Sequence, residues 1–231
     1  MGDGVWRVHS RHRYNADGDM TDRASIPRPT VKRLSLYLRE LESQQAGGAV
    51  TVSSRTLGSA LGITDTQVRR DLGYFGQFGQ PGIGYAVDAM IPRLKSILRI
   101  DREWNAAVVG VGNIGRALLN YPQFGSKGFN IVGAFDVDDA IVGTDVGRCR
   151  VAAMEEIEQL VPELEIEFGI LCVPNQAAQE VADRMVTAGI RGILNFTPRR
   201  IEVADSIDVV SVDFSLALEQ LAYQVSDDGD A

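Results

Sequence analysis

The chain is poor in the residues that build metal sites and disulfides. Its 231 residues include two cysteines and two histidines. Cys149 and Cys172 lack the spacing of a metal or redox motif, which argues against a structural disulfide and fits a reducing cytoplasm. His9 and His12 both lie in a polar N-terminal stretch. We therefore expect neither a metal centre nor a histidine-based active site.

Long apolar runs are also missing from the sequence. No stretch approaches the roughly 20 residues of a membrane span, and the charged N-terminus lacks the apolar core of a signal peptide. We expect a cytoplasmic protein with no membrane partner. The hydrophobic fraction of 45% is ordinary for a globular protein, and the length suits one large domain or two small ones.

A positive overall charge, common in nucleic-acid-binding proteins, is absent because the net charge is −8. The charge is unevenly distributed along the chain. Residues 25–86 carry seven basic and four acidic side chains, whereas residues 87–231 carry 12 basic and 23 acidic ones. A basic segment attached to an acidic body indicates that the segment alone contacts a polyanion. Chance variation among solvated surfaces would explain the same modest excess.

The chain begins with a polar tail and an amphipathic helix. Residues 1–24 have no periodicity, which predicts a disordered tail. Thr30 is the predicted N-cap of the first helix, since apolar positions then recur in steps of three and four as far as Leu41. Gly47 and Gly48 end this helix.

Two short helices follow a β-like stretch at residues 50–52. Ser53 or Ser54 can cap the first, Gly62 ends it, and Thr64 or Asp65 can cap the second. Two short helices joined by a tight turn with glycine are typical of a helix-turn-helix. A glycine-rich run at 79–85 predicts a hairpin or wing, and a connecting helix is predicted at 87–100, with Pro92 near its start.

The most specific motif is Gly110-Val111-Gly112-Asn113-Ile114-Gly115. It lies between an apolar run and a helix-like segment, and Asp136 ends the next apolar run. This order is the fingerprint of a dinucleotide site. The first glycine permits a tight turn, the second lets the backbone approach a pyrophosphate, and the third lets the helix lie close to the strand. Asp136 can accept a ribose hydroxyl and repels a 2′-phosphate, which favours NAD(H) over NADP(H).

From Asp101 onward, apolar runs alternate with helical patterns. This alternation predicts an α/β fold with a doubly wound parallel sheet. The last pattern, at 213–225, places Phe214, Leu218 and Leu221 on one stripe. Such a helix could cover an edge of the sheet, or it could reach a second subunit.

Groups for catalysis are scarce beside this motif. A dehydrogenase needs a positioned acid or base, yet the predicted dinucleotide domain has no histidine, and Lys127 is its single lysine. Tyr121 has no lysine at a suitable spacing, and Cys172 is better explained as a small buried side chain. We expect no catalytic residue. An NAD-dependent oxidoreductase or cofactor-binding subunit with an accessory helical domain is the alternative, and a CoA- or nucleotide-binding scaffold is a third possibility.

The second helix of the helix-turn-helix carries the side chains best suited to reading DNA. Arginine pairs bidentately with guanine and glutamine with adenine, while other cations contact phosphate without specifying sequence. A helical dimerisation domain with solvated arginines is the alternative. The candidates for DNA contact are Lys32, Arg33, Ser53, Ser54, Arg55, Thr66, Gln67, Arg69, Arg70, Tyr74, Gly82, Gly84 and Tyr85.

Several motifs together resemble the Rex family of redox-sensing bacterial transcriptional repressors over residues 26–225. They are VSSRTLGSALGITDTQVRRDLGYFGQFGQPGIGY, VVGVGNIGRALLNYPQF, FDVD, CVPNQAAQ, GILNFTP and VDFSLALEQL. The resemblance implies a homodimer with an N-terminal winged-helix domain, a Rossmann core and a C-terminal helix swapped between subunits. It also implies that the protein senses NADH against NAD⁺ and that NADH releases it from palindromic double-stranded operator DNA.

The resemblance further implies roles for individual residues. Tyr121 would change partners between redox states, and Asp213 with Phe214 would reach the nicotinamide pocket of the other subunit. The cofactor candidates are Gly110, Val111, Gly112, Asn113, Ile114, Gly115, Tyr121, Asp136, Val137, Cys172, Val173, Pro174, Asn195, Phe196, Asp213 and Phe214. The predicted segments are a tail (1–24), a winged helix-turn-helix domain (25–86), a linker helix (87–100), a Rossmann domain (101–212), a swapped helix (213–225) and an acidic tail (226–231).

Overall fold

A computed structural model describes residues 26–79 and 82–227 of the chain. It divides the chain into two compact units, Met1–Arg102 and Glu103–Ala231. The predicted tail at 1–24 lies outside the described residues, as does most of the predicted acidic tail, residues 228–231. Among the described helices, none combines the length and the apolarity that crossing a membrane requires.

The N-terminal unit is a helical domain with a small two-stranded sheet. Its core contains the buried side chains of Leu34, Tyr37, Leu57 and Leu72. The elements are α1 (Arg28–Ala46), β1 (Thr51–Val52), α2 (Ser54–Leu61), α3 (Asp65–Gly73), β2 (Tyr85–Ala86) and α4 (Val87–Leu98).

The predicted helix-turn-helix is confirmed as α2 and α3. The Ser53 hydroxyl accepts the backbone N–H of Thr56 at 2.9 Å, which caps α2. The Thr64 hydroxyl accepts the N–H of Gln67 at 3.1 Å, which caps α3. Gly62 ends α2 in the left-handed conformation, with φ of 66°. Each of these short helices thus begins with its own side-chain cap.

The predicted cap of α1 is wrong. The helix begins at Arg28 after Pro27, and Thr30 lies buried inside its first turn. Pro29 fits this turn because the first N–H groups of a helix need no partner within it. The Thr30 hydroxyl donates instead to the Asp71 carboxylate, at 3.1 Å.

In the described part of the glycine-rich run, no strand pairs with another strand of the run. β2 pairs antiparallel with β1, so the partner strand precedes both helices of the helix-turn-helix. Gly84 is needed where the run crosses β1. Its φ is +93°, and a Cβ there would lie 2.6 Å from the carbonyl oxygen of Val52. Residues 82–84 therefore lead into a two-stranded wing.

The helix that we treated as a linker contributes to the core of the N-terminal unit. Val87, Met90 and Leu94 on α4 are buried in the same cluster as the side chains of α1. Pro92 lies within the helix rather than near its start. It forgoes one helical hydrogen bond, and its ring is exposed to solvent.

The second unit is built on a seven-stranded sheet in the order β5-β6-β4-β3-β7-β8-β9. All strands pair in parallel except the edge strand β5, which is antiparallel to β6. The strands are β3 (Trp104–Val109), β4 (Phe129–Asp136), β5 (Asp145–Val146), β6 (Cys149–Ala153), β7 (Phe168–Leu171), β8 (Gly192–Asn195) and β9 (Asp208–Ser211). The helices are α5 (Asn113–Leu119), α6 (Gln123–Ser126), α7 (Ile157–Glu163, after a short 3₁₀ turn), α8 (Ala178–Thr187) and α9 (Phe214–Asp227).

This arrangement confirms the predicted doubly wound sheet. Consecutive β3 residues alternate between two buried clusters. Val109 packs with Leu171 and Met185 on one face, while Val108 packs with Ile170 on the other. A strand that is buried on both faces has a continuous run of apolar residues, and such a run predicts a strand like β3 from the sequence.

The last helix, α9, presents an unpaired apolar stripe. Every described side chain from residue 213 to residue 225 is exposed in the single chain. The exposed fraction is 59% for Phe214 and 72% for Tyr223. The Phe214 ring lies 6.0 Å from the Phe196 ring, centroid to centroid. The exchange of this helix between two chains stays a prediction.

Candidate functional site

The glycine motif forms the turn between β3 and α5. In the sheet, β3 lies between β4 and β7, at the point where the order of the strands reverses. Gly110 has φ of +95°, and a Cβ there would lie 2.6 Å from the carbonyl oxygen of Cys172. A Cβ on Gly115 would overlap the carbonyl oxygen of Gly110, whereas nothing lies within 4 Å of a Cβ on Gly112. Two glycines are thus required by the fold, and the third faces open space.

Two charged side chains hold this turn in place. The N–H of Val111 donates to Asp136 Oδ2 at 2.6 Å, and the Nε of Arg116 donates to the carbonyl oxygen of Val111 at 3.1 Å. Asp136 Oδ1 accepts the N–H groups of Val137 and Asp138. A carboxylate has about four acceptor positions, so Asp136 retains capacity for a further donor. Arg116 was not among the predicted site residues.

The ends of the parallel strands bring most cofactor candidates to one edge of the sheet. Asn113 and Ile114, which open α5, and Val137, which follows β4, are exposed there. The segment Cys172–Pro174 follows β7, and Phe196 follows β8. A crevice outside the carboxyl ends of the strands is the usual ligand position in such folds.

The setting of Cys172 disfavours a role as a nucleophile. Burial raises the pKa of its thiol to about 12, so the thiol stays protonated near neutral pH and the reactive thiolate is scarce. The described residues also contain no group of histidine, cysteine and carboxylate side chains that could hold a metal ion.

Asn195 supports its loop rather than facing a ligand. Its side chain is completely buried. Its Oδ1 accepts the N–H and the hydroxyl of Thr197 at 2.9 and 2.8 Å, and its Nδ2 donates to the carbonyl of Arg199. The Asn195 amide is therefore bonded within the loop after β8, and its contact with a cofactor stays a prediction.

Tyr121 and Asp213 are accessible but engaged in local bonds. The Tyr121 hydroxyl donates to Gln123 Oε1 at 2.8 Å, an exposed contact that is easily exchanged. Asp213 Oδ1 accepts the N–H of Ser215 at 2.8 Å and thereby caps α9. Both side chains therefore have defined positions without a ligand.

Helix α3 presents a basic surface in the N-terminal unit. Thr66, Arg69, Arg70 and Tyr74 are exposed along it. The Nη1 of Arg69 donates to Asp65 Oδ2 at 2.8 Å and to the hydroxyl of Ser54 at 3.0 Å. The contact with Arg69 lowers the pKa of Asp65. Lys32 and Arg55 on the neighbouring helices, and Gly82 in the wing, are also exposed.

Arg33 is largely engaged within the N-terminal unit, and its contact with DNA stays a prediction. Its Nε and Nη2 donate to the two oxygens of Asp71 at 2.6 and 2.7 Å. Asp71 is only 1% exposed, and it also accepts the Tyr37 hydroxyl at 2.7 Å and the Gln67 amide at 2.8 Å. Burial raises the pKa of the Asp71 carboxyl, but the bonds from Arg33, Tyr37 and Gln67 outweigh burial and leave that pKa below its ordinary value.

Three further DNA candidates are explained by the fold. Tyr85 is buried in the core of the N-terminal unit, and burial raises the pKa of its hydroxyl. Gly84 is required by its contact with β1, and the Ser53 hydroxyl caps α2. The sequence pattern of a glycine-aromatic run is the same whether its ring faces inward or outward, so the pattern alone does not predict the burial of Tyr85.

Asp71 is the structural residue that the sequence analysis missed. It ties α3 to α1 through Arg33, and no role was predicted for it. A signal was present, since Asp71 lies between Val68 and Leu72 on the buried face of α3. A carboxylate at such a position requires a buried cationic or hydroxyl partner, and the first helix supplies both.

Comparison with known proteins covers both units. A family model described as "CoA binding domain" matches residues 101–199, and one described as "Putative DNA-binding protein N-terminus" matches residues 25–73. The redox-sensing transcriptional repressor Rex of Carboxydothermus hydrogenoformans is 43% identical over 203 residues, which are 88% of this chain and 98% of that protein. The protein of the same name from Desulforamulus reducens is 41% identical and covered to 96%.

Crystal structures give the same correspondence. The structure of RSP in complex with β-NAD⁺ and operator DNA superimposes with a TM-score of 0.82 at 36% identity, over 87% of this chain and 92% of that one. RSP in complex with β-NADH superimposes with a TM-score of 0.81 at 34% identity, over 88% of this chain and 96% of that one. The relatives are named as repressors rather than enzymes, which confirms the expectation that the chain is not an enzyme.

Proposed function

Since this chain belongs to the Rex family of redox-sensing transcriptional repressors, we propose that it binds operator DNA when NADH is scarce and leaves it when NADH binds. The observation that carries this proposal is the union of a dinucleotide-type glycine turn and a helix-turn-helix in one chain. A 36% identical relative with the same fold is known in complex with both NAD⁺ and operator DNA. Such a regulator acts in the cytoplasm, where its DNA and its cofactor meet.

We assign cofactor binding to residues 101–212. Gly112 is open to solvent and leaves room for a pyrophosphate against the backbone, as in other glycine turns of this kind. Asp136 would accept a ribose hydroxyl with the acceptor capacity that its three backbone bonds leave. Its negative charge disfavours a 2′-phosphate, so the cofactor is NADH or NAD⁺.

We assign operator contact to residues 25–86, chiefly through α3. Arg70 and Thr66 are exposed on this helix, and Arg69 can exchange its contact with Asp65 for a base or a phosphate. Lys32 and Arg55 would contact phosphates, which position the helix without specifying sequence.

The protein would work as a homodimer on a palindromic operator. The apolar stripe of α9, which is exposed in the single chain, supports its exchange between subunits. Asp213 and Phe214, at the start of α9, would then approach the partner's nicotinamide pocket, and Tyr121 would change partners between redox states. A dimer reads two half-sites whose spacing is fixed by the distance between its recognition helices.

The two activities must oppose one another. A ligand shifts an equilibrium only if it binds two states with different affinity. NADH and NAD⁺ differ by one positive charge and by the shape of the nicotinamide ring, so a carboxylate such as Asp213 can distinguish them. By linkage, a cofactor that weakens operator binding is itself bound more weakly in the presence of operator.

A mobility-shift titration tests this function. Duplexes retained by the cofactor-free protein are first selected from a random double-stranded library, which supplies the operator probe. NADH is then titrated against the protein–duplex complex while NAD⁺ is held constant. We expect progressive release of the duplex. Retention of the duplex at saturating NADH, or failure to select any duplex, would contradict the proposal.

The variant Asp136→Ala separates the two sites. We expect weaker NADH binding, because the variant loses the ribose acceptor and the bond that holds Val111. Operator binding by the cofactor-free variant should be unchanged. NADH affinity is measured by the fluorescence of the bound nicotinamide and operator affinity by the mobility shift. Equal loss of both would indicate misfolding and count against a local role for Asp136.

A further inference from the structure

Arg93 makes a cluster of contacts that neither binding site explains. It lies on α4 and reaches the segment that follows α3. Its Nη1 donates to the carbonyl oxygen of Gln77 at 2.7 Å, and its Nη2 donates to the carbonyl oxygen of Phe75 at 2.7 Å. The guanidinium carbon lies 4.1 Å from the centroid of the Phe78 ring. One side chain thus contacts three residues of a four-residue stretch.

The backbone of this stretch is shaped to receive the guanidinium. Gly76 lies between the two carbonyl acceptors, with φ of +91°. A Cβ at Gly76 would lie only 3.2 Å from the Nη2 of Arg93. A larger residue would therefore crowd the guanidinium and strain the backbone. Gly76 thus leaves space for the guanidinium. We call the contacts of Arg93 with Phe75, Gln77 and Phe78 the clamp.

The clamped segment, residues 75–78, joins α3 to the glycine-rich approach to the wing. The beginning of α3 is fixed by the Thr64 cap, and its middle is fixed by the bonds between Asp71 and α1. Arg93 is positioned to fix the exit of α3. Without it, the last turn of α3 and the start of the wing would have fewer restraints against the rest of the unit.

We propose that Arg93 is a positioning residue for operator binding, which holds the exit of α3 and the base of the wing in the geometry that DNA recognition requires. The proposal rests on the proposed operator binding. A planar guanidinium can donate to two carbonyls and stack on a ring at once, whereas an ammonium is a single point charge. The role therefore demands arginine and not merely a positive charge.

The experiment compares Arg93→Lys and Arg93→Met with the matched control Arg39→Met. Arg39 is exposed on α1 and is not among the residues assigned to DNA contact, so its variant loses the same charge without loss of the clamp. Operator affinity is measured on duplexes selected by the wild-type chain, at several salt concentrations. NADH affinity reports whether the second unit is intact, and urea unfolding followed by circular dichroism reports whether the N-terminal unit is folded in each variant.

We expect both Arg93 variants to bind the duplex about tenfold more weakly than wild type, since fixed orientation of contact groups is lost. NADH affinity and the fraction of active protein should be unchanged, and Arg39→Met should bind as wild type does. The slope of log affinity against log salt should also be unchanged, because a lost phosphate contact would reduce it by about 0.9.

Three results would overturn the inference. Wild-type affinity in Arg93→Lys would show that charge alone matters. A salt slope reduced by about one in Arg93→Met would make Arg93 a phosphate contact. Equal losses in Arg39→Met would make the effect general electrostatics. A wild-type chain that selects no duplex would instead contradict the proposed function, and this inference with it.

Discussion

The proposed binding sites of the two units are built differently, one from backbone and the other from side chains. In the dinucleotide unit, the backbone forms the site, and the absence of side chains at Gly110, Gly112 and Gly115 makes room for it. In the N-terminal unit, the side chains of α3 form the site. The difference teaches that a site made of backbone can be located from sequence more reliably than one made of long side chains, whose direction depends on packing.

The units also treat charge differently. In the basic segment, the Arg33–Asp71 pair withdraws one cation and one anion from the exposed charges and leaves the net charge unchanged. The acidic unit uses one carboxylate, Asp136, to hold its glycine turn. Net charge therefore points to the unit for which we propose DNA contact, without indicating which of its cations are exposed.

The largest expected effects come from alanine substitution of two glycines of the dinucleotide motif. One substitution should lower the affinity for NADH and the other the stability of the fold. Gly112→Ala should weaken NADH binding by about 100-fold, because a Cβ would enter the space of the pyrophosphate. It should leave the fold intact, since nothing within 4 Å opposes that Cβ. Gly115→Ala should instead destabilise the protein by about 3 kcal/mol, because its Cβ would overlap the Gly110 carbonyl. Fluorescence titration with NADH and chemical unfolding measure the two effects.

The outcome that contradicts this contrast is a Gly112→Ala variant that binds NADH as wild type does. Equal destabilisation by the two alanines would also count against the contrast, because it would show that the space beside Gly112 is not open.

The next effect concerns the N-terminal unit, where side chains form the proposed site. Asp71→Asn should lower the free energy of unfolding of the N-terminal unit by about 3 kcal/mol, because it leaves the Arg33 guanidinium without its buried partner. The control Asp65→Asn removes an exposed partner of Arg69 and should not change stability measurably. Urea unfolding followed by circular dichroism gives both values. Similar stabilities of the two variants would show that the Asp71 network contributes little.

The same carboxylate predicts a dependence on pH. The pKa of Asp71 is lower in the folded protein than its ordinary value, so its contribution to stability is present above about pH 4. That contribution should disappear as the pH falls through the lowered pKa. The stability difference between wild type and Asp71→Asn should therefore be constant from neutral pH down to about pH 5 and shrink in stronger acid. A difference that grows on acidification would have the wrong sign.

A smaller effect is expected at the exposed face of α3. Arg69→Ala and Arg70→Ala should each weaken operator binding by about 1–3 kcal/mol if they contact bases, with NADH affinity unchanged. Mobility shifts on the selected duplex measure this loss. Unaltered affinity would remove that arginine from the interface.

The smallest effect is expected at Cys172. Cys172→Ala should leave NADH affinity within about twofold of wild type, because a half-buried, protonated thiol acts as a small apolar side chain. The thiol should also react slowly with alkylating reagents near neutral pH, since burial raises its pKa. Loss of NADH binding on alanine substitution would show that the Cys172 side chain itself is required for cofactor binding.

The sequence predicted the sheet and the glycine turn because both follow from local rules. The apolar runs that became β3 and β7 are buried on both faces, and Gly110 and Gly115 occupy positions where a Cβ cannot fit. The short helices were found from their caps at Ser53 and Thr64.

What could not be predicted depends on contacts distant in sequence. Lys32 and Arg33 are adjacent basic residues. Arg33 bonds to Asp71, which lies 38 positions further along the chain, whereas Lys32 faces solvent. Tyr85 points inward because β2 pairs with β1 rather than with its own neighbours. Asn195 lies in the expected place but spends its bonds on its own loop. In all three cases the sequence located the residue, and the direction of its side chain depended on the fold.

The central claim is that the glycine turn receives a signal that controls the helix-turn-helix. The most direct test measures occupancy of the selected duplex across a range of NADH/NAD⁺ ratios at constant total cofactor, for wild type and for Gly112→Ala. We expect wild-type occupancy to fall as the ratio rises and Gly112→Ala to stay bound throughout. Duplex occupancy that is independent of the ratio in wild type, or that falls equally in Gly112→Ala, would contradict the claim.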